Sequence, residues 1–140
     1  MATWEEFEGA APELAAAVRA RFAATKHHVL ATLRRDGSPR VSGTEVEFEG
    51  GEMRLGSMTG AVKARDLQRD GRFGIHANPG DGSMEGGDAK VAGVAFELPS
   101  EDSHLFRLDI QEVVHTSVDG DRLVVRWWTP EAGLREIRRA

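Results

Sequence analysis

The first 24 residues carry apolar side chains at helical spacing. Leu14, Val18 and Phe22 recur at every fourth position, which places them on one face of a helix. Pro12 suits the first turn of that helix, because its ring fixes the backbone angle that a helix start needs. The spacing therefore predicts a helix whose apolar stripe packs on a sheet.

From residue 25 the pattern changes to short runs of β-branched and apolar residues separated by turns. Asp36-Gly37 and Gly50-Gly51 supply the left-handed backbone that tight hairpins require. A helical segment at 61–69 interrupts the runs, and the chain lacks the alternation of strand and helix that is typical of a parallel sheet. The runs that predict strands cover residues 28–34, 40–48, 53–57, 72–77, 90–98, 106–118 and 122–128.

These elements predict a mainly β protein, a small antiparallel barrel of six to seven strands with a few helices. At 140 residues the chain has the length of one domain. Within it we expect a helical segment over 1–24, the barrel over 25–128 and a short arginine-rich tail over 129–140.

Composition narrows the classes of partner and site. The net charge of −5 argues against nucleic acid or an anionic membrane as the main partner, because phosphate-rich surfaces favour basic proteins. The chain has no cysteine, which excludes disulfides, thiolate catalysis and cysteine-bound metals. We find no apolar run long enough for a secretory signal or a membrane span, so we expect a cytoplasmic protein.

The most informative segment for chemistry covers residues 55–72. A predicted strand leads into a Gly-Ser-Met-Thr-Gly loop, and the loop opens a helix that carries Lys63 and Arg65 in its first turns. Helix starts present unpaired amides and the positive end of the helix dipole, so hydroxyl groups and a cation beside them suit a phosphate. Arg40 and Ser42 on the neighbouring strand could contribute from the side.

The same segment also has a purely structural interpretation. Ser57 and Thr59 would then only cap the helix. Lys63 and Arg65 would pair with the two aspartates of the segment, on a solvated helix face. The local pattern leaves both interpretations open.

The order and spacing of these segments resemble a known family. HHVLATLRRDGSPRVSGTEVEF, followed by LGSMTGAVKARDLQRDGRFGIHANP, is similar to the pyridoxamine 5′-phosphate oxidase-like split-barrel flavoproteins. In that family a strand with an LATL…DG.P pattern pairs with a second strand, and a third leads into a serine-containing loop and a K.R.L..DPR helix. The resemblance covers residues 12–98 and is looser in the C-terminal strands. It implies a split β-barrel.

The resemblance also implies a homodimer with cofactor grooves at the subunit interface. FMN is the commonest cofactor of the family, a deazaflavin serves in some branches, and a few relatives bind haem. Lys63 matches the phosphate-binding lysine, and Arg65 is a second candidate cation. Ser57 and Met58 match the loop that lines the phosphate and the ring. The alternate positions that match the cofactor-facing strand are Arg40, Ser42 and Thr44.

The chain departs from the family pattern at positions that bear on function. Val62 stands where the family often has a basic residue, so one phosphate contact is missing. Gly71 replaces a proline, a change that we expect to matter little. The chain also lacks the C-terminal arginine and histidine pattern that holds substrate in the true pyridoxamine 5′-phosphate oxidases. We therefore do not expect vitamin B6 oxidation.

Outside this segment, the adjacent residues Trp127 and Trp128 point to opposite faces of the last predicted strand. We expect one ring in the core and the other at a subunit interface. The resemblance suggests a second possibility, in which one ring lies near the partner's cofactor, and Trp127 is the candidate for that position. The glycine-rich stretch 78–88 is either a mobile lid or a loop with no role. The five histidines show no zinc-binding spacing.

Together these observations predict a flavin- or deazaflavin-dependent oxidoreductase that acts on an unknown small organic substrate. The cofactor would carry the redox chemistry, which agrees with a sequence in which no acid–base or nucleophilic constellation is recognisable. Two alternatives stay open. One is a non-catalytic carrier or sensor of a flavin or a related phosphate ligand, and the other is a haem-binding relative that uses one histidine.

Overall fold

The computed structural model describes residues 1–140, which form three helices and nine strands. The helices are α1 (Trp4–Ala10), α2 (Pro12–Ala23) and α3 (Val62–Arg69). The strands are β1 (His28–Leu33), β2 (Pro39–Thr44), β3 (Val46–Glu49), β4 (Glu52–Met58), β5 (Arg72–His76), β6 (Asp88–Leu98), β7 (Ser103–Asp119), β8 (Arg122–Thr129) and β9 (Gly133–Arg139). Every strand pair is antiparallel, which confirms the predicted fold class.

The strands form one sheet in the order β2-β1-β5-β6-β7-β4-β3, and β8 and β9 extend it from β7. The barrel splits along β7, whose first residues pair with β4 and whose last residues pair with β8. A bulge between β6 and β7 lies at this change of partner, between Ala92 and Gly93. A side chain at Gly93 would collide with the carbonyl of Asp109, which explains the glycine there. The result is a split barrel.

One apolar core joins the helices to the sheet. Leu14, Val18 and Phe22 of α2 are at most 3% exposed, so the predicted stripe is confirmed. Trp4 and Phe7 of α1 are also buried and meet edge to face, with ring centroids 5.1 Å apart. No helix in the structure is both long enough and apolar enough to cross a membrane.

The structure differs from the predicted strands at two places. Residues 40–48 form two strands, because the chain leaves β1 after Thr44 and joins β4 from Val46, with the exposed Glu45 at the change of partner. Residues 129–140 are not a tail, because most of them form β9, which pairs with β8 along its length. The strands therefore number nine rather than six or seven.

Candidate functional site

A polar pocket of about 230 Å³ lies where the ends of β2 and β4 meet the start of α3. Four of the predicted cofactor-binding residues line it, namely Thr44, Ser57, Met58 and Lys63. The other lining residues are His27, Gly43, Glu45 and Gly56. We call this cavity the phosphate pocket, because the ammonium group of Lys63 and the hydroxyl groups of Thr44 and Ser57 are groups that can bind a phosphate.

Lys63 provides the positive charge of the phosphate pocket. Its side chain is half-buried, and Nζ donates a hydrogen bond of 2.6 Å to the carbonyl oxygen of Gly43 on the edge strand β2. No carboxylate forms an ion pair with this ammonium group, although Glu45 lines the same pocket. A cation held by a neutral carbonyl remains available to an anion.

The start of α3 adds backbone donors at the edge of the phosphate pocket. The N-cap residue is Ala61, and no side chain caps the helix. The amides of the first turn therefore lack the side-chain acceptor that a serine or aspartate would supply. An uncapped helix start beside a free lysine favours an anionic ligand.

Two buried hydroxyl groups complete the phosphate pocket. Ser57 Oγ is 3.4 Å from the carbonyl of Met58, and Thr44 Oγ1 is 3.2 Å from the carbonyl of Glu45. Both distances are long for a hydrogen bond, so each hydroxyl group can still form a shorter hydrogen bond to a ligand. Met58 is 81% exposed and leaves the pocket open to solvent.

Ser42 lies on the same side of β2 as Thr44, two residues before it. Its Oγ is buried and has no hydrogen-bond partner. An unpaired buried hydroxyl is unfavourable, so this atom would gain from a ligand or a water molecule.

Arg40, a predicted contact, has a structural partner instead. Its Nε donates to the buried carboxylate of Asp66 in α3 at 2.7 Å. Asp66 also accepts hydrogen bonds of 2.8 Å from Thr32 and Arg69. Burial raises the pKa of the Asp66 carboxyl, but the hydrogen bonds from Arg40, Thr32 and Arg69 lower it by a larger amount. The pKa therefore lies below its ordinary value. Arg40 therefore joins β2 to α3.

The structural interpretation of segment 55–72 is wrong in its details. Ser57 and Thr59 do not cap α3, and Thr59 Oγ1 instead donates to the carbonyl of Asp102. Lys63 and Arg65 do not pair with the aspartates of the segment, which bind Arg40, Arg69 and Arg72. Arg65 is exposed, forms no ion pair and does not line the phosphate pocket, so only Lys63 is placed to bind a phosphate there.

The two tryptophans lie on opposite faces of β8, as the alternation predicts. Trp128 is 5% exposed and packs on Phe7, with ring centroids 5.0 Å apart. Trp127 is half-buried on the other face, opposite Val114 of β7. Trp127 lies opposite Val114 in the second half of β7, whereas Ser57 lies opposite His104 at the start of that strand, and Trp127 does not line the phosphate pocket of its own chain.

The face of the sheet that carries Trp127 is open and largely apolar. Val29 and Val41 on it are 44% and 70% exposed. Residues that lie opposite each other on neighbouring strands point to the same face of the sheet. One row of such residues therefore crosses this face from β2 to β9. In order, that row consists of Gly43, Val29, His76, Lys90, Val114, Trp127 and Arg135. We call this surface the outer face; it contains an apolar groove of about 300 Å³.

The histidines do not converge on one site, and no three His, Asp or Glu side chains lie close enough to hold a metal ion. His28 and His115 are buried, and burial lowers the pKa of both imidazoles. His76 borders the groove of the outer face and its Nδ1 is 2.6 Å from the carbonyl of Ala77. His27 is exposed at the rim of the phosphate pocket.

The glycine-rich stretch 78–88 lies against α2 and β7. Arg21 of α2 donates to the carbonyl of Glu85 at 2.9 Å, and the ring of His115 bonds the carbonyl of Gly86 at 3.0 Å. The stretch lines a separate cavity of about 450 Å³ and shares no residue with the phosphate pocket.

The strand glycines of the phosphate pocket and the acidic Glu45 beside them carry no signal in the sequence that marks them as site residues. Gly43 binds Lys63 through its carbonyl, and every residue has that group, so its identity carries no signal. Glu45 also lines the pocket and is 3.4 Å from Lys26. The signal that could have found them is the adjacency of the β2 and β4 ends, which depends on strand pairing.

Solved structures share this fold. A pyridoxamine 5′-phosphate oxidase-related, FMN-binding protein from Nostoc punctiforme has a TM-score of 0.69 at 13% identity, over 93% of this chain and 96% of that chain. PhzG from Burkholderia lata, in complex with tetrahydrophenazine-1-carboxylic acid, has a TM-score of 0.69 at 13% identity, over 91% and 88%. A heme binding protein from Mycobacterium smegmatis has a TM-score of 0.56 at 18% identity, over 88% and 87%. No family model matches the sequence, and no curated protein matches it.

The chain thus has the split-barrel fold of the pyridoxamine 5′-phosphate oxidase-like proteins, as its sequence resemblance predicts. At identities below 20% the similarity extends to the fold alone. Because these proteins include both FMN-binding and heme-binding members, the ligand has to be argued from the residues of the site.

Proposed function

We propose that the protein is a homodimer that binds FMN or a deazaflavin and acts as an oxidoreductase on a small organic substrate. One observation carries the proposal. The fold brings Thr44 of β2 to a single pocket with Ser57 and Lys63, beside an uncapped helix start. These groups suit the phosphate of such a cofactor.

The residues present fit a phosphate group. Lys63 would supply the charge-assisted bond, and the hydroxyl groups of Ser57 and Thr44 would replace their long backbone contacts with shorter bonds to phosphate oxygens. Glu45 opposes this binding, because it places a carboxylate at the same pocket, and Lys26 offsets part of that charge.

The outer face offers a surface for the flat ring of the cofactor. When bound, the cofactor supplies the hydride chemistry, and the protein provides binding, orientation and exclusion of water. The apolar groove begins one strand from the phosphate pocket, because Val29 lies opposite Gly43. A ring that leaves the pocket along β1 would therefore meet apolar side chains.

A second copy of the chain is the occupant that we propose for the rest of the outer face. An interface about a two-fold axis uses the same surface on both copies, so that surface must carry both signs of charge. The outer face has Lys90 and Glu112 beside its exposed valines. In such a dimer Trp127, which is remote from the pocket of its own chain, can approach the cofactor held by the partner.

A carrier or sensor without turnover is the second candidate. It is favoured by Val62, which is 52% exposed at the first position of α3, where a basic side chain would strengthen the phosphate site. Apart from His27, Lys63 is the only basic side chain that lines the pocket. The pocket should therefore bind a phosphate more weakly than a pocket with a second cation beside Lys63.

The first experiment is an absorption spectrum of the purified protein, followed by titration with FMN and with a deazaflavin. Lys63→Ala should weaken binding more than tenfold, because a charged hydrogen bond to phosphate is worth about 1.5–3 kcal/mol. Arg65→Ala is the matched control: it removes a cation from the same helix outside the pocket and should leave the affinity unchanged. Val62→Arg should tighten binding.

The outcomes separate the candidate functions. Equal affinity of Lys63→Ala and the wild type would remove the phosphate assignment. Turnover of a reductant in the presence of bound cofactor supports the oxidoreductase, whereas binding without turnover supports the carrier. A Soret band after incubation with haem, lost on substitution of one histidine, would point to a haem protein instead.

A further inference from the structure

The loop between β4 and α3 is tied to the start of β7 by two hydrogen bonds. Thr59 Oγ1 donates to the carbonyl of Asp102 at 3.0 Å. The amide of Gly60 donates to Nε2 of His104 at 3.2 Å. Met58 before this loop and Lys63 after it line the phosphate pocket, but neither bond lies inside the pocket. The two bonds therefore fix the position of a loop that contacts the ligand elsewhere.

A carboxylate sets the proton of His104 so that it can accept the Gly60 amide. Nδ1 lies 2.8 Å from Oε2 of Glu97 on β6, so Nδ1 carries the proton and donates it to the carboxylate. This bond is the main reason that the pKa of Glu97 lies below its ordinary value. Gln68 of α3 donates to the other carboxylate oxygen at 3.0 Å. Nε2 is left with the lone pair that the Gly60 amide needs.

We propose that His104 is a positioning residue for the cofactor phosphate. Held by Glu97, its Nε2 fixes the Gly60 amide, and with it the loop that connects β4, which carries Ser57, to α3, which carries Lys63. The inference rests on the proposed function, because it concerns the affinity of the same pocket.

The arrangement makes the loop sensitive to protonation of the imidazole. A proton on Nε2 removes the lone pair, so His104 keeps its bond to Glu97 but can no longer accept the amide of Gly60. No lysine or arginine lines the cavity of about 530 Å³ around the ring. The groups that face His104 from neighbouring elements are Glu97 on β6, Glu101 in the β6–β7 connection, the uncharged Gln68 on α3 and Ser57 on β4.

The test is the titration of three variants with FMN at about pH 8. His104→Ala should weaken FMN binding by about three- to tenfold, the usual effect of one neutral hydrogen bond. His104→Gln should stay within about twofold of the wild type, because its Oε1 can accept the Gly60 amide. Ser100→Ala is the control, since Ser100 lies in the same connection and bonds only Ser103; its affinity should not change.

The pH profile supplies a readout that a purely structural role would not change. Over a series of falling pH the wild type should lose at least about threefold more affinity than His104→Gln, whose side chain has no titratable group. Titration of the FMN phosphate affects both proteins equally and cancels in their ratio. In the cofactor-free protein, hydrogen exchange of the Gly60 amide should be faster in His104→Ala than in the wild type.

Two failures are distinguishable. If the wild type binds neither FMN nor a deazaflavin, the proposed function and this inference both fall. If the wild type binds and His104→Ala binds equally well, or the wild type and His104→Gln share one pH profile, only the role of His104 is overturned. The pH comparison uses two proteins that keep the loop contact, so it decides the question even if the alanine variant does not fold.

Discussion

Asp66 is a buried side chain that holds two secondary-structure elements together. It is 1% exposed, and it binds Arg40 of β2 and Arg69 of its own helix, together with Thr32 of β1. Each arginine is partly exposed, so water stabilises the cations, but the carboxylate depends on its partners. Removing its charge would leave those donors without an equivalent acceptor.

We expect Asp66→Asn to reduce the free energy of unfolding by about 2–3 kcal/mol, because an amide cannot accept from both guanidinium groups as a carboxylate does. Urea denaturation followed by fluorescence measures the change. Asp70→Asn is the control, since Asp70 pairs with a well-exposed arginine at the surface and should matter much less. A loss no larger than that of the control would contradict the role assigned to Asp66.

The same carboxylate predicts how stability depends on pH. Its pKa is lower in the folded protein than the ordinary value of about 3.9, so the unfolded chain binds its proton first as the pH falls. The stabilisation by Asp66 is therefore present above about pH 4 and lost as the pH falls through the folded value. The stability difference between the wild type and Asp66→Asn should be constant from about pH 5 to about pH 8 and should shrink in stronger acid.

At the scale of elements, α3 combines a weak helix start with a candidate ligand site. Ala61 is the N-cap in an extended conformation, with φ −59° and ψ 142°, a backbone that a capping aspartate or serine also adopts. An aspartate there would bond the free amides of the first turn. It would also place a negative charge where we propose that a phosphate binds.

Ala61→Asp should therefore raise the stability of the cofactor-free protein by about 1 kcal/mol and weaken FMN binding several-fold. Ala61→Ser should give a similar gain in stability with a smaller effect on affinity, because it adds no charge. Thermal unfolding without cofactor and titration with FMN measure the two effects separately. Increased stability with unchanged affinity in Ala61→Asp would show that the phosphate does not bind at the helix start.

The elements that the sequence predicts well are those whose signals are local. The spacing of Leu14, Val18 and Phe22 depends on one helix alone. The break between β2 and β3 is different, because it occurs where the chain exchanges β1 for β4 as its partner. Nothing in the alternation of residues 45–48 marks that exchange.

The candidate site shows the same limit. Lys63 could be predicted because its position in a motif resembles a known family, and the structure places it in the pocket. The pairing of Arg40 with Asp66 joins residues 26 positions apart and depends on how α3 packs against β1, the neighbour of β2. The bond from Gly60 to His104 joins residues 44 positions apart and involves a backbone amide, which has no sequence signal.

For the whole molecule, the open outer face determines the assembly that we propose. It crosses the sheet from β2 to β9 and carries exposed valines, an apolar groove and Trp127. The hairpin of β8 and β9 extends this face, and β9 pairs with β8 alone. A two-stranded extension gains stability when another surface covers it, and a second copy would provide that cover.

Val114 lies at the centre of the outer face and lines its groove, so Val114→Glu tests this assembly. Sedimentation should give twice the 15.3 kDa chain mass for the wild type and a single chain mass for the variant, because a charge without a partner is costly inside an apolar interface. Leu134→Glu is the control, because Leu134 is 50% exposed and lies opposite Trp128, on the other face of the sheet from Trp127, so this variant should leave the dimer intact. The monomeric variant should also bind FMN more weakly, because each cofactor would lose the surface that the partner provides. A wild type that sediments as one chain but binds FMN tightly would show that one subunit suffices for the site. The proposed dimer would then be rejected, whereas the proposed phosphate pocket would stand.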